Sequence, residues 1–257
     1  MTDRSTTTVK SALRVLLLIE LLTEHPRGLT FPEIRDALEL PKSSLHALLK
    51  VTTERGHLVF DEVHRTYRLG VRFLEAGQAF FAGSDLRERA IPVMEHIRDQ
   101  INETVQLSIL DGRENVYVAK VTAVQVLQLV SEVGSRLPAH ATGLGKVLLA
   151  YLEGEELDRR FANVQLEQFT PRTIGSVEEL RTVLEGIRRE GYGVDDGEYT
   201  EGVFCVAVPI FGPGSEPLAA MSVSIPSIRL RESTRTEVLE LLLRESRLLS
   251  QTLGSRR

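Results

Sequence analysis

The chain has 257 residues, 42% of them hydrophobic and 26% charged, with a formal net charge of -5. That is the composition of a soluble globular protein, with room for one large domain or two of ordinary size. The single cysteine, Cys205, excludes an intramolecular disulfide and any cysteine-based zinc cluster, and fits a reducing compartment, with the cytoplasm as the default. Residues 13–22 are mostly apolar, but Arg14 and Glu20 interrupt them over about half the length a membrane span needs, and no export or anchoring segment is visible. Charge is unevenly spread: residues 1–72 carry +2 and four of the six histidines, and the remainder carries -7. A surplus of that size is common on solvated surfaces, so the pattern of elements must decide the partner.

In chain order, Leu13, Val15, Leu16, Leu17, Ile19 and Leu22 make a helix apolar on more than one face, which predicts cover on several sides. The run "TFPEIRDALEL" opens with Thr30 and Glu33 at capping-box spacing and a proline in the first turn, and should bury Ile34, Ala37 and Leu38. Pro41 then starts a third helix, "PKSSLHALLKVTTERG", with Leu45, Leu48 and Leu49 inward and Gly56 at its end. A short helix, a tight turn and a second helix with a polar outer face form a helix-turn-helix, whose second helix lies in the DNA major groove. The outward set here is Lys42, Ser43, His46, Ala47 and Lys50; lysines suit phosphates or guanine edges, and Ser and His suit bases or phosphates. "HLVF" and "TYRLG" alternate around the charged turn "DEVHR" as a two-stranded hairpin, completing a winged helix-turn-helix. Ser44 and Arg65 join the candidate DNA contacts. A three-helix interaction module with a merely solvated polar face fits the same pattern.

After Gly70, "VRFLEAGQAFFAG" reads as a helical connector whose Phe73, Leu74, Phe80 and Phe81 need a partner surface. From "SDLRERAIPVMEHIRDQINE" onward the pattern is mixed. "TVQLSIL", a "DG" turn and "NVYVAKV" form a hairpin, followed by "VLQLV" at 126–130. A helix capped by Ser176, with Glu179 at box spacing, runs to about residue 190; "VFCVAVPIF" and "LAAMSVSIP" are strands joined by "GPGSEP"; a last helix covers about 231–253. The order predicts an α+β domain on an antiparallel sheet covered by helices. Residues 1–8 and the last few are expected to be disordered.

Between these lies "HATGLGKVLLAYL", residues 140–152, a glycine-rich loop ending in Gly-Lys before an apolar helix. A phosphate-binding loop needs Gly, four residues, Gly-Lys and then Ser or Thr. Here His140 stands at the first glycine and Val147 follows Lys146, so two fixed positions fail and ATP or GTP is not expected to bind. What remains is a bare backbone ahead of a helix, whose free N–H groups can hold an anion or small ligand.

"LRVLLLIELL", "GLTFPEIRDALELPKSSLHALLKVTTERGHL" and "YRLG", then "LPAHATGLGKVLLAYL", "GYGVDDGEYTEGVFCVAVPIF" and "AAMSVSIP", resemble the IclR family of bacterial transcriptional regulators in order over nearly the whole chain. The resemblance implies a winged helix-turn-helix domain at 1–70, a helical connector at 71–84 and a GAF/PAS-like effector-binding domain at 85–257. It implies a repressor or activator that binds double-stranded operator DNA as a homodimer or homotetramer, with no resident cofactor or metal, no membrane partner and no reaction catalysed. Ala47 departs from the arginine usual there, so base readout at that position should differ. Carried over position by position, the effector site falls on Gly143, Leu144, Asp195, Cys205, Ser222 and Ser224, with a small organic acid or polar aromatic as the ligand. Ser222 and Ser224 face the same side of one strand, where their hydroxyls could donate to a carboxylate. Two other chemistries use the same residue types. Cys205, His140 and Asp195 could serve as nucleophile, base and orienting carboxylate of a small-molecule hydrolase, or as metal ligands of a sensor. A cysteine within a strand lacks helix-start activation, and no close pair such as H-x-x-x-H supports a metal.

Overall fold

The computed structural model describes residues 9–82, 85–124 and 132–257. The segment 1–8, the run 126–130 and the last two connector positions, 83 and 84, lie outside the described residues. Contacts divide the chain into two units, Met1–Gly83 and Ser84–Arg257.

The first unit comprises α1 (Lys10–Glu24), β1 (Leu29–Thr30), α2 (Phe31–Leu38), α3 (Lys42–Glu54), β2 (Leu58–Asp61), β3 (Thr66–Leu69) and α4 (Arg72–Ala82). The capping box forms as the spacing predicts: the backbone N–H and hydroxyl of Thr30 both donate to Glu33 Oε2 at 2.7 Å. Leu18, Leu22, Ile34, Leu45, Leu49 and Leu58 make one small core. Beyond the hairpin, the strands form a three-stranded sheet in the order β1-β3-β2. The turn between β2 and β3 is closed by Asp61, whose carboxylate accepts the N–H groups of Val63 and His64 at 2.9 and 3.0 Å. Two expectations are corrected. The opening helix is covered on one face only, leaving Leu13, Leu16 and Leu17 at 44%, 55% and 41% exposure. Ala37 is exposed, and Leu40, just past the helix, is buried in its place. Leu48, half-buried, packs inward against this core as its spacing predicts.

The second unit comprises α5 (Leu86–Ile101), β4 (Thr104–Asp111), β5 (Glu114–Val121), β6 (Arg136–Pro138), α6 (Gly143–Ala150), α7 (Gly154–Phe161), α8 (Val177–Glu190), β7 (Gly193–Asp196), β8 (Val203–Phe211), β9 (Pro217–Pro226) and α9 (Glu232–Thr252). Among the described residues the sheet is antiparallel throughout, in the order β6-β5-β4-β9-β8-β7. This is the predicted α+β class, with two short strands, β6 and β7, and the short helix α7 beyond what the pattern revealed. Alternation along β8 and β9 sorts the faces. Ala207 and Ala220 pack with Leu144, Val147 and Leu180 of α6 and α8. Phe204 points the other way, under the guanidinium of Arg235 on α9 at 4.4 Å. α5 and α9 pack on each other and on β4 and β8. Among the described residues no helix is long and apolar enough to cross a membrane.

Helix α6 is buried along its whole length and starts tight against the preceding turn. A Cβ on Gly145 would lie 2.2 Å from the Cα of Ala139 and 2.4 Å from its carbonyl oxygen, both backbone atoms that cannot swing away. Gly145→Ala is therefore expected to destabilise the effector unit by about 1–3 kcal/mol as an overpacked core position, measured by urea unfolding. A neutral substitution would show that the turn relaxes freely.

Candidate functional site

Two surfaces carry the predicted residues. On the first unit, Lys42, Ser43, His46, Ala47 and Lys50 are all exposed on α3, as the helical spacing requires, and Ser44 is half-buried. The His46 ring rests against Phe31 with centroids 4.5 Å apart, which fixes its direction. Among the described residues Lys50 meets only Glu54, in a long contact at 3.8 Å, so its ammonium can turn toward a phosphate. Arg65 sits at the wing turn in a left-handed conformation, φ 55°, with its guanidinium 5.9 Å from the Phe60 ring.

On the second unit, Gly143, Leu144, Asp195, Cys205, Ser222 and Ser224 all line one cavity of about 480 Å³. Sheet register explains the convergence: Asp195 lies opposite Cys205 and Cys205 opposite Ser224. Cross-strand partners share a face, so the three form a polar row across β7, β8 and β9. Gln106 on β4 lies opposite Ser222 and accepts from both serine hydroxyls, 3.2 Å from Ser222 and 2.7 Å from Ser224. The serine protons are thus engaged by Gln106, contrary to the simpler picture of two hydroxyls waiting for a carboxylate. Cys205 Sγ lies 3.0 Å from Ser224 Oγ, and burial, with Asp195 beside it, pushes its thiol up to about 12. That is a protonated thiol at neutral pH, a poor nucleophile.

The opposite wall is the start of α6. Thr142 caps it: the hydroxyl accepts the Gly145 N–H at 3.0 Å and donates to Asn115 Oδ1 at 2.6 Å, while the Thr142 carbonyl accepts the Lys146 N–H at 2.9 Å. The first turn of a helix has no internal partners for its N–H groups. Among the described residues the N–H groups of Gly143 and Leu144 have no hydrogen-bond partner, and both residues line the cavity. Packing alone does not require glycine at 143: a Cβ there would point at the sheet in ordinary van der Waals contact, 3.4 Å from the Asp195 nitrogen and 3.6 Å from the Ala207 Cβ.

Lys146 does not reach a phosphate. Its side chain is 2% exposed and its ammonium meets both carboxylate oxygens of Glu198 at 2.5 Å. Glu198 lies in the loop after β7, and its backbone N–H donates to Asp195 Oδ1 at 2.7 Å, so one ion pair ties that loop to α6. Tyr199 and Thr200 of the same loop line the cavity mouth. Burial raises Asp195 to about 6 against the backbone hydrogen bonds that favour its ionised form. Burial likewise raises the Tyr117 hydroxyl, which lines the cavity from β5.

His140 is separate. Its Nε2 lies 2.9 Å from the Glu167 carbonyl and it lines a different cavity, so the Cys205, His140 and Asp195 set is not brought together as a catalytic or metal-binding trio. Among the described residues no group of three or more His, Cys, Asp or Glu side chains is placed to hold a metal ion. Sequence reading missed Gln106, Tyr117 and the Lys146–Glu198 pair. The alternation of Thr104, Gln106 and Ser108 with Val105, Leu107 and Ile109 carried the signal for Gln106; nothing local linked Lys146 to a residue 52 positions on.

The family model for the IclR helix-turn-helix domain matches residues 11–62, and that for the bacterial transcriptional regulator IclR C-terminal domain matches 78–251. The chain belongs to the IclR family. It is a helix-turn-helix transcriptional regulator with an effector-binding domain. It is 35% identical to the HTH-type transcriptional regulator XynR of Escherichia coli (strain K12) over 96% of this chain and 98% of that one. A transcriptional regulator of Rhodococcus sp. RHA1 has the same fold, with TM-score 0.83, 29% identity and coverage of 96% and 98%. An IclR homologue from Microbacterium hydrocarbonoxydans, crystallised with 4-hydroxybenzoate, matches at TM-score 0.80 and 26% identity over 95% and 97% of the two chains.

In this IclR-family chain, breaking the buried pair leaves an uncompensated charge. Lys146→Met should destabilise the effector unit by about 3–5 kcal/mol, whereas the double replacement Lys146→Met with Glu198→Leu should recover most of it. Thermal unfolding of the three proteins checks this; equal losses in the single and double variants would contradict it.

Proposed function

We propose that this regulator binds a palindromic operator as a dimer or dimer of dimers through α3 and its wing, and that a small organic acid or polar aromatic in the cavity alters that binding. The observation that carries the ligand reading is the convergence of Gly143, Leu144, Asp195, Cys205, Ser222 and Ser224, distant in sequence, on one cavity. Its size and mixed lining suit a small, partly polar molecule. The 4-hydroxybenzoate complex of the Microbacterium relative supports a ligand of that kind. No step of catalysis is assigned, because the thiol is protonated and the one buried histidine lies elsewhere. A cytoplasmic location follows from a DNA partner and the single cysteine.

Oligomerisation is supported by what one chain leaves uncovered. Leu13, Leu16 and Leu17 on α1 and Leu74 and Phe80 on α4 are apolar and exposed. One winged helix also reads too few base pairs to pick out a genomic site. A ligand changes the outcome only if it binds one arrangement of the protein better than another.

Selection of sites from a random duplex library by the purified protein tests this reading. The expected product is an inverted repeat, bound with steep salt dependence. Lys42→Ala and Lys50→Ala should each lower affinity across sequences and flatten the salt slope by about 1, while Ser43 and His46 replacements should change the selected bases. Restoring Arg at Ala47 should add a base preference within each half-site. Unchanged affinity and sequence after all four replacements at 42, 43, 46 and 50 would overturn the assignment of α3.

A further inference from the structure

If the ligand is an acid, as proposed above, its pocket is oddly charged. None of the lining residues is Lys, Arg or His, and one of them, Asp195, is a carboxylate. The segment 125–131 carries no charged residue either. Lys146, the cation that acts on Asp195, is paired through both oxygens of Glu198, so that pair contributes little net charge. Asp195 is 4% exposed and shares the cavity face with Cys205 and Ser224. Its Oδ1 accepts the N–H groups of Glu198 and Tyr199 at 2.7 and 3.4 Å, while no described residue donates to Oδ2. A carboxylate ligand drawn to the N–H groups of Gly143 and Leu144 therefore arrives beside a second, buried carboxylate. Two carboxylates sharing one enclosed site cannot both stay ionised at little cost; they share a proton.

We propose that the effector acid binds together with one proton taken from solvent, held between its carboxylate and Asp195 Oδ2. No covalent bond forms or breaks. The proton gives one carboxyl an O–H that donates to the other, and the second ligand oxygen keeps the helix-start donors. The groups facing Asp195 are Glu198 and Tyr199 from the loop after β7, Lys146 from α6, Cys205 from β8 and Tyr117 from β5. Glu198 and burial favour the protonated form, Lys146 and the two backbone N–H groups oppose it, and burial prevails, placing Asp195 at about 6 before any ligand binds. Lys120 stands opposite Gln106 in the β4–β5 ladder and is not among the lining residues.

The sign follows from linkage. Below about 6 Asp195 already carries its proton and pH has little effect on affinity. Above that value the ligand must draw the proton in, so affinity falls as pH rises, approaching tenfold per pH unit for one proton. This makes the regulator respond to acid concentration and pH jointly.

The test begins with a thermal-shift screen of 4-hydroxybenzoate, benzoate, lactate and succinate on the full chain at about pH 6 and pH 8. Calorimetry of a binding acid in buffers of differing ionisation enthalpy then counts protons. The expected result is uptake of about one proton per acid near pH 7.5 and a roughly tenfold loss of affinity from pH 7 to 8. Asp195→Asn, which keeps the Oδ1 acceptor, should abolish the uptake and make affinity independent of pH. Binding by the parent with no proton uptake overturns the proposal even if the variant fails to fold. So does pH-independent binding that is lost in Lys120→Gln, which would mean that a cation holds the acid. If none of the acids binds at either pH, the acid-sensing reading itself falls and this proposal with it.

Discussion

The effector unit depends on burying the start of a helix. All residues of α6 from Gly143 to Ala150 are buried, so the N–H groups that water would satisfy at an exposed terminus must find partners inside the protein. The Thr142 side chain meets the N–H of Gly145, and is itself fixed by Asn115, which is fully buried on β5. The close approach of α6 to β7 rests on a glycine in the strand: a Cβ on Gly193 would lie 2.9 Å from Val147 Cγ2 and 3.1 Å from Ile187 Cδ1. The Gly143 and Leu144 N–H groups have no partner among the described residues and both residues line the cavity, so the candidate site is a by-product of how the domain is packed.

The same constraint explains the charged groups around the pocket. Lys146 lies one turn into a helix with no solvent side, and must bring a counter-ion inward. Glu198 supplies it from the loop after β7, and Thr170 and Thr173 fasten that loop by donating to the carbonyls of Gly197 and Glu198 at 2.7 and 2.5 Å. Asp195 then lies between the ion pair and the cavity with its Oδ1 engaged by the loop backbone. The loop whose Tyr199 and Thr200 line the cavity is therefore tied by charge and hydrogen bonds to the helix on its other side. A ligand seated between them touches both.

Local signals carried much of this far. The capping box at Thr30, the cap at Ser176 and the alternation of Ser222 and Ser224 with Met221, Val223 and Ile225 are written in residues a few positions apart, and the structure contains each. The gathering of Gly143, Asp195, Cys205 and Ser224 came from family resemblance, since their spacing encodes no register. Other features were illegible for physical reasons. β6 and β7 are three and four residues long, too short for periodicity to register. Burial of Lys146 depends on a partner in a distant loop, and the exposure of Leu13, Leu16 and Leu17 depends on which surfaces pack on α1, which their spacing does not encode.

The central claim is that a ligand meets the free N–H groups at the start of α6. Amide spectra of the ¹⁵N-labelled full chain, titrated with an acid that stabilises it thermally, test this directly. The account predicts saturable shifts at Gly143 and Leu144 with one common dissociation constant, accompanied by Ser222 and Ser224 across the cavity. Saturable shifts elsewhere, with the Gly143 and Leu144 amides unmoved, would contradict it.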